Sequence, residues 1–99
     1  MADLTSKQRA YLRSLAHPLK PIVQIGKEGI TDEVAASLMQ AFQNRELLKV
    51  KVLESAPVDA RDAAAELSEA VDGSHAVQVI GRTVVLYRRH PEKPEIRLP

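Results

Sequence analysis

The stretch PIVQIGKEGITDE, residues 21–33, carries three local signals in direct succession. Ile22-Val23-Gln24-Ile25 has the alternation and β-branching of a strand. It breaks into Gly26-Lys27-Glu28-Gly29. Thr31 then offers its hydroxyl as an N-cap, with Asp32 and Glu33 in a first helical turn where the macrodipole favours acids. The reading is strand, G-x-x-G loop, helix. Two glycines three apart let the backbone take φ > 0 and let another chain approach with no Cβ in the way. Amides freed by such a loop, beside the unsatisfied N–H groups of a helix start, can seat a phosphate, with Lys27 as a cationic arm. The same tetrapeptide fits a tight turn with an exposed lysine, and Glu28, Asp32 and Glu33 weigh against a strong anion site. The flanking sequence decides between the two.

Upstream, Thr5 and Gln8 form a capping-box pattern that opens a helix. Leu4, Tyr11, Leu12 and Leu15 share one stripe of it, while Arg9 and Arg13 lie four apart on the far side. Pro18 disfavours helical backbone at His17 and ends it. Downstream, Val34, Leu38, Ala41 and Phe42 repeat at helical spacing, so residues 32 to about 44 form a second helix. Residues 47–53 alternate, with Leu48, Val50 and Val52 facing one way and Lys49 and Lys51 the other. Ser55-Ala56-Pro57 reads as the start of a third helix with Pro in its first turn. Ala60, Ala63, Ala64, Leu67 and Val71 form its small apolar face, and Asp72-Gly73 ends it. Val77–Ile80 and Thr83–Tyr87 are strands joined at Gly81-Arg82, a hairpin signal.

The order α-β-α-β-α-β-β predicts an α/β fold, a two-layer sandwich on a four-stranded mixed sheet, with parallel crossovers and one antiparallel strand from the hairpin. Helices two and three are expected over the face carrying Val23, Ile25, Leu48, Val50, Val52, Val77, Val79, Val84 and Leu86. The other face shows Gln24, Lys49, Lys51, Gln78, Thr83, Val85 and Tyr87. It is either partly capped by the first helix through Leu12 and Leu15 or left open as a binding surface. Partial capping is favoured, because it keeps Val85, Ile80 and Leu47 dry. Residues 89–99, with three prolines, read as an extended, loosely packed tail on a single domain spanning 1–99.

A chain of 99 residues supports a modest core without staples. With no cysteine there is no disulfide framework and no thiol chemistry. His17, His75 and His90 stand at no metal-ligand spacing, no serine has a nucleophile-elbow context, and the glycine loop lacks the G-K-[ST] of a nucleotide-binding loop. No metal, cofactor, small-molecule substrate or enzymatic activity is expected. The absence of a signal peptide or an apolar span makes a cytoplasmic protein the default. A net charge of +1 conceals a strong asymmetry. Residues 1–27 carry five basic residues against one acid, residues 54–72 six acids against Arg61, and residues 82–99 five basic residues against two acids. Basic ends around an acidic middle point to a polyanion partner on one side.

Several motifs in fixed order carry a family resemblance. They are Leu4-Thr-x-Lys-Gln-Arg9, Leu12-Arg-x-Leu-Ala-His-x-Leu-Lys-Pro21, Ile25-Gly-Lys-x-Gly-Ile-Thr31, Glu46-Leu-Leu-Lys-Val-Lys-Val52 and Val77-Gln-Val-Ile-Gly-Arg-Thr-Val-Val-Leu-Tyr-Arg88. Together they resemble YhbY-type RNA-binding proteins, stand-alone bacterial members of the CRM (chloroplast RNA splicing and ribosome maturation) domain family, from about residue 4 to 88. The closing Ile96-Arg-Leu-Pro99 resembles the family's end. The resemblance implies a fold like the C-terminal domain of translation initiation factor three. It also implies a protein that binds precursor large-subunit ribosomal RNA and assists ribosome assembly; a monomer is expected. The implied contact centres on Gly26, Lys27, Glu28 and Gly29, a loop similar to the phosphate-gripping loop of KH domains. Arg9, Arg13 and Lys20 neutralise neighbouring phosphates on this reading, and Arg82 and Arg88 extend the track. The competing expectation is an adaptor that docks a basic protein on the acidic third helix.

Overall fold

The computed structural model describes residues 4–99; Asp3, the lone acid of the N-terminal basic stretch, lies outside them. Three helices, α1 (Ser6–Ala16), α2 (Asp32–Ala41) and α3 (Ala60–Ala70), alternate with strands β1 (Val23–Ile25), β2 (Leu47–Val52), β3 (Ser74–Ile80) and β4 (Thr83–Arg88) in the expected order. The sheet runs β1-β2-β4-β3. β1 pairs parallel with β2, and β4 is antiparallel to both its neighbours. This is the predicted mixed α/β sandwich. Gly81, at φ +57°, takes the first central position of the two-residue hairpin, as a type II′ turn requires.

Two cores form, one on each face of the sheet. α2 and α3 bring Leu38, Phe42, Ala63, Ala64 and Leu67 onto Ile25, Leu48, Val50, Val52, Val84 and Leu86. The alanines let α3 lie close to the sheet. On the opposite face, Leu12 and Ala16 of α1 cover Leu47, Val77, Val85 and Tyr87. Each fully buried aliphatic side chain contributes about 1.5–3 kcal/mol.

Several local expectations change. Val79, expected under α2 and α3, is 40% exposed, and Ile80, expected dry beneath α1, is 50% exposed because α1 stops short of that end. Val77 packs under α1 rather than beneath α3. A β-bulge between Ala76 and Gln78 sets two residues of β3 against one of β4, which reverses the side that the 2.0-residue period assigns to Val77. The first helix caps its face through Leu12 and Ala16, leaving Leu15 37% and Tyr11 39% exposed. This roll turns Arg9 toward the sheet instead of away from it. Its Nη1 donates to the Ala76 carbonyl at 2.7 Å, satisfying an acceptor on an edge strand that has no ladder partner there. The third helix begins at Ala60, because the Asp59 carboxylate accepts the Asp62 N–H at 2.8 Å and caps it, and Pro57 stays in the preceding loop.

Residues 89–99 form no helix or strand, yet they are firmly held. Ile96 and Leu98 pack on the α1-side core, and Gln8 donates to the Pro99 carbonyl at 3.3 Å. The main anchor is Glu46, 5% exposed, whose carboxylate accepts the N–H groups of His90, Glu95 and Ile96, each at 2.7 Å. Burial alone would raise the Glu46 pKa. The three N–H donors and the nearby His90 outweigh it and hold the pKa below the ordinary carboxylate value. A depressed folded pKa means this stabilisation is complete above the unfolded value of about 4.3 and is lost as pH falls through the folded one. The amide resonances of His90, Glu95 and Ile96 should therefore move together in one titration lying below the ordinary Glu range. In Glu46→Gln that shared titration should vanish, with core amides unchanged.

Candidate nucleic-acid interface

The glycine loop closes as a single turn after β1. Gly29 N–H donates to the Gly26 carbonyl at 2.9 Å, with Lys27 and Glu28 at the exposed corner. The two glycines have different duties. Gly29 sits at φ +73° and is buried, and a Cβ there would lie 3.2 Å from Pro57 Cγ. Gly26 has an ordinary φ, and a Cβ would meet only Leu53, at 3.9 Å. Gly29 thus fixes the turn against the 53–59 loop, and its amide is spent inside it. Among the described residues, no backbone acceptor takes the Lys27 and Glu28 amides, and both residues are exposed. Thr31 caps α2 by accepting the Val34 N–H at 3.2 Å. The open cavity at this loop, about 670 Å³, also has Glu28, Asp32 and Glu33 on its wall. One lysine against three carboxylates makes a weak anion seat.

Cations converge beside the loop, on the sheet. Helix α1 covers β3, β4 and the Leu47 end of β2 and stops short of the other end of the sheet. There the pairings set Gln24, Lys51, Thr83 and Ile80 in one cross-sheet row, strands about 4.8 Å apart. Lys51 is exposed and Ile80 is 50% exposed. Lys49 lies one row back, its Nζ donating to the Leu19 carbonyl at 2.9 Å, which ties β2 to the link after α1. Where α1 ends, Arg13, Ser14, His17, Lys49, Gln78 and Ile80 line a cleft of about 300 Å³. Among the described residues, no acid lines this cleft.

The sequence-derived cations divide on this frame. Arg13 enters the cleft, Lys20 is exposed on the 17–22 link, and Lys27 caps the glycine turn. Arg82 stands at the hairpin tip, ion-paired at 3.0 Å with Glu54 while both remain exposed. The structure does not bring Arg9 or Arg88 to this group. Arg9 is engaged on Ala76. Arg88 lies on the α3 side, about 16 Å along β4 from the hairpin, with its Nε donating to the Asp72 carbonyl at 2.8 Å. Lys49 and Lys51 join the site although no loop motif marks them. Their signal was the alternation of β2, which sets them opposite the core-facing residues.

The sequence pattern of the CRS1 / YhbY (CRM) domain matches residues 4–88. The chain belongs to the CRS1 / YhbY (CRM) domain family. Its similarity extends over whole relatives. The "Probable RNA-binding protein YqeI" of Bacillus subtilis is 45% identical, covering 97% of this chain and 99% of the relative. An "RNA-binding protein" of Haemophilus influenzae is 39% identical, covering 100% of this chain and 98% of its own. The solution structure of the hypothetical protein SAV1595 from Staphylococcus aureus superposes with a TM-score of 0.81 at 48% identity, covering 98% of this chain and 100% of that one.

In this CRM domain the two loop glycines should respond differently to a methyl group. Gly29→Ala should lower stability by about 1–2 kcal/mol, the cost of a left-handed L-residue, with the Pro57 contact adding to it. Gly26→Ala should leave stability within about 0.5 kcal/mol of the parent. Chemical denaturation of both variants measures the contrast, and equal losses would refute it.

Proposed function

We propose that this domain is a non-enzymatic RNA-binding module acting on the phosphate backbone of precursor large-subunit ribosomal RNA during ribosome assembly. The observation that carries the reading is the convergence of Arg13 and Lys49 in a cleft with no acid among its described lining, beside an uncovered sheet end bearing Lys51 and the exposed turn of Lys27 and Glu28, whose amides have no backbone acceptor. Flexible cations around a fixed backbone turn suit phosphates, which fix position and carry little sequence information. Recognition then depends mainly on RNA shape. Relatives spanning the whole chain carry names that describe RNA binding. The ribosomal substrate rests on the family resemblance.

On this reading the glycine turn positions and the sheet attracts. Arg13, Lys20, Lys27, Lys49, Lys51 and Arg82 form the track, Arg82 by exchanging Glu54 for a phosphate. An exposed ion pair of that kind is worth only about 0–1 kcal/mol, so the exchange costs little.

Binding to an in vitro transcript of large-subunit ribosomal RNA tests the reading. With about four to six phosphates neutralised, log K should fall with log salt with a slope of about −3 to −5. Arg13→Glu with Lys51→Glu should weaken binding about tenfold or more, roughly 1.4 kcal/mol. Asp62→Lys with Glu66→Lys, on exposed positions of α3, should leave it undiminished. A salt-independent interaction would contradict the proposal. So would loss of RNA binding through the α3 pair alone, which would favour the adaptor reading.

A further inference from the structure

The C-terminal segment carries a basic group that the track above does not use. Arg89 follows β4 on the same side of the sheet as Val85 and Tyr87, and Arg97 lies between Ile96 and Leu98, which pack on the α1-side core. Both arginines line one cleft of about 470 Å³ with Tyr87, Pro94, Ile96 and Leu98, and among the described residues no acid lines it. The cleft is on the same side of the sheet as Lys49 and Lys51. It is at the opposite end, since β2 runs from Leu47 beside the tail to Val52 beside the glycine turn, about 17 Å.

What distinguishes this pair from scattered surface charge is that the backbone between them is fixed. Glu46 immobilises the segment at three amides, two of them adjacent to Arg97 or its neighbour. The turn between the two anchor points is closed by His90, whose Nδ1 accepts the N–H groups of Glu92 at 3.1 Å and Lys93 at 2.9 Å. A tail without such anchors would lose ordering entropy on binding; this one has lost it on folding.

We propose that the pinned C-terminal segment is a second contact for the RNA backbone, in which Arg89 and Arg97 take a phosphate from the same RNA that lies along the sheet, with Glu46 as the positioning residue. The inference rests on the RNA-binding reading above. It makes the interface bipartite. A duplex or folded RNA long enough to span about 17 Å gains both contacts, and a very short one gains a single contact.

The test uses the full chain and the large-subunit ribosomal RNA transcript. Arg89→Ala with Arg97→Ala should make the salt slope shallower by about 0.7–0.9, one phosphate's worth. Glu46→Gln adds one unit of positive charge. If net charge alone governed binding, this variant would bind more tightly; release of the tail should make it bind several-fold more weakly. Circular dichroism and the core amide resonances verify that both variants fold. If Glu46→Gln does not fold, the double arginine variant decides alone. An unchanged slope in that variant, with the parent binding RNA and Arg13→Glu/Lys51→Glu losing it, overturns the second contact and leaves the first reading intact. Failure of the parent protein to bind the transcript overturns both.

Discussion

A four-stranded sheet has two faces, and three short helices cannot cover both. α2 and α3 together close one face, while α1, 11 residues long, closes only part of the other. The uncovered end is where β2 turns its lysines outward and where β1 runs into the glycine turn. The surface read here as functional is thus the remainder left by packing. Its charge follows from the same alternation that buries Leu48, Val50 and Val52 on the reverse side. One strand supplies both the core and the cations.

The local geometry gives each conspicuous residue a narrower task than its motif suggests. The G-x-x-G element looks symmetrical in sequence, but only Gly29 needs its missing side chain, since only it combines positive φ with a close neighbour. Arg9 and Arg88 look like surface cations, yet each satisfies a backbone carbonyl. For Arg9, whose bond is part-buried, a hydrogen bond from a charged group contributes about 1.5–3 kcal/mol; Arg88 is set apart by its place on the α3 side. Glu46 is the reverse case. It resembles one more acid in a mixed stretch and is instead the anchor of the C-terminal segment.

Element order, the sheet, the caps at Thr5 and Thr31 and the core residues of β2 and α3 were legible, because each depends on contacts within a few residues or on a regular period. The side of Val77 was not, because a bulge changes the period at one point and nothing in Ala76-Val77-Gln78 announces it. The roll of α1 was illegible for a related reason. Leu12 lies on both the predicted and the observed stripe, and the choice between Leu15 and Ala16 was made by the sheet, including the Arg9 contact with Ala76. The order in the tail depends on a partner more than forty residues away in sequence. In the site, Lys27 and Arg13 could be found from motifs and charge. The place of Lys49 beside Arg13 required knowing where α1 ends on the sheet.

The central claim is that RNA lies on the α1 side of the sheet, over its uncovered end. Backbone amide shift mapping with a short structured RNA fragment addresses this most directly. The account predicts the largest changes at Gln24, Lys27, Glu28, Lys51 and Thr83, with α3 silent. Changes concentrated on Asp62, Glu66 and Glu69 of α3, with the sheet row unmoved, would contradict it.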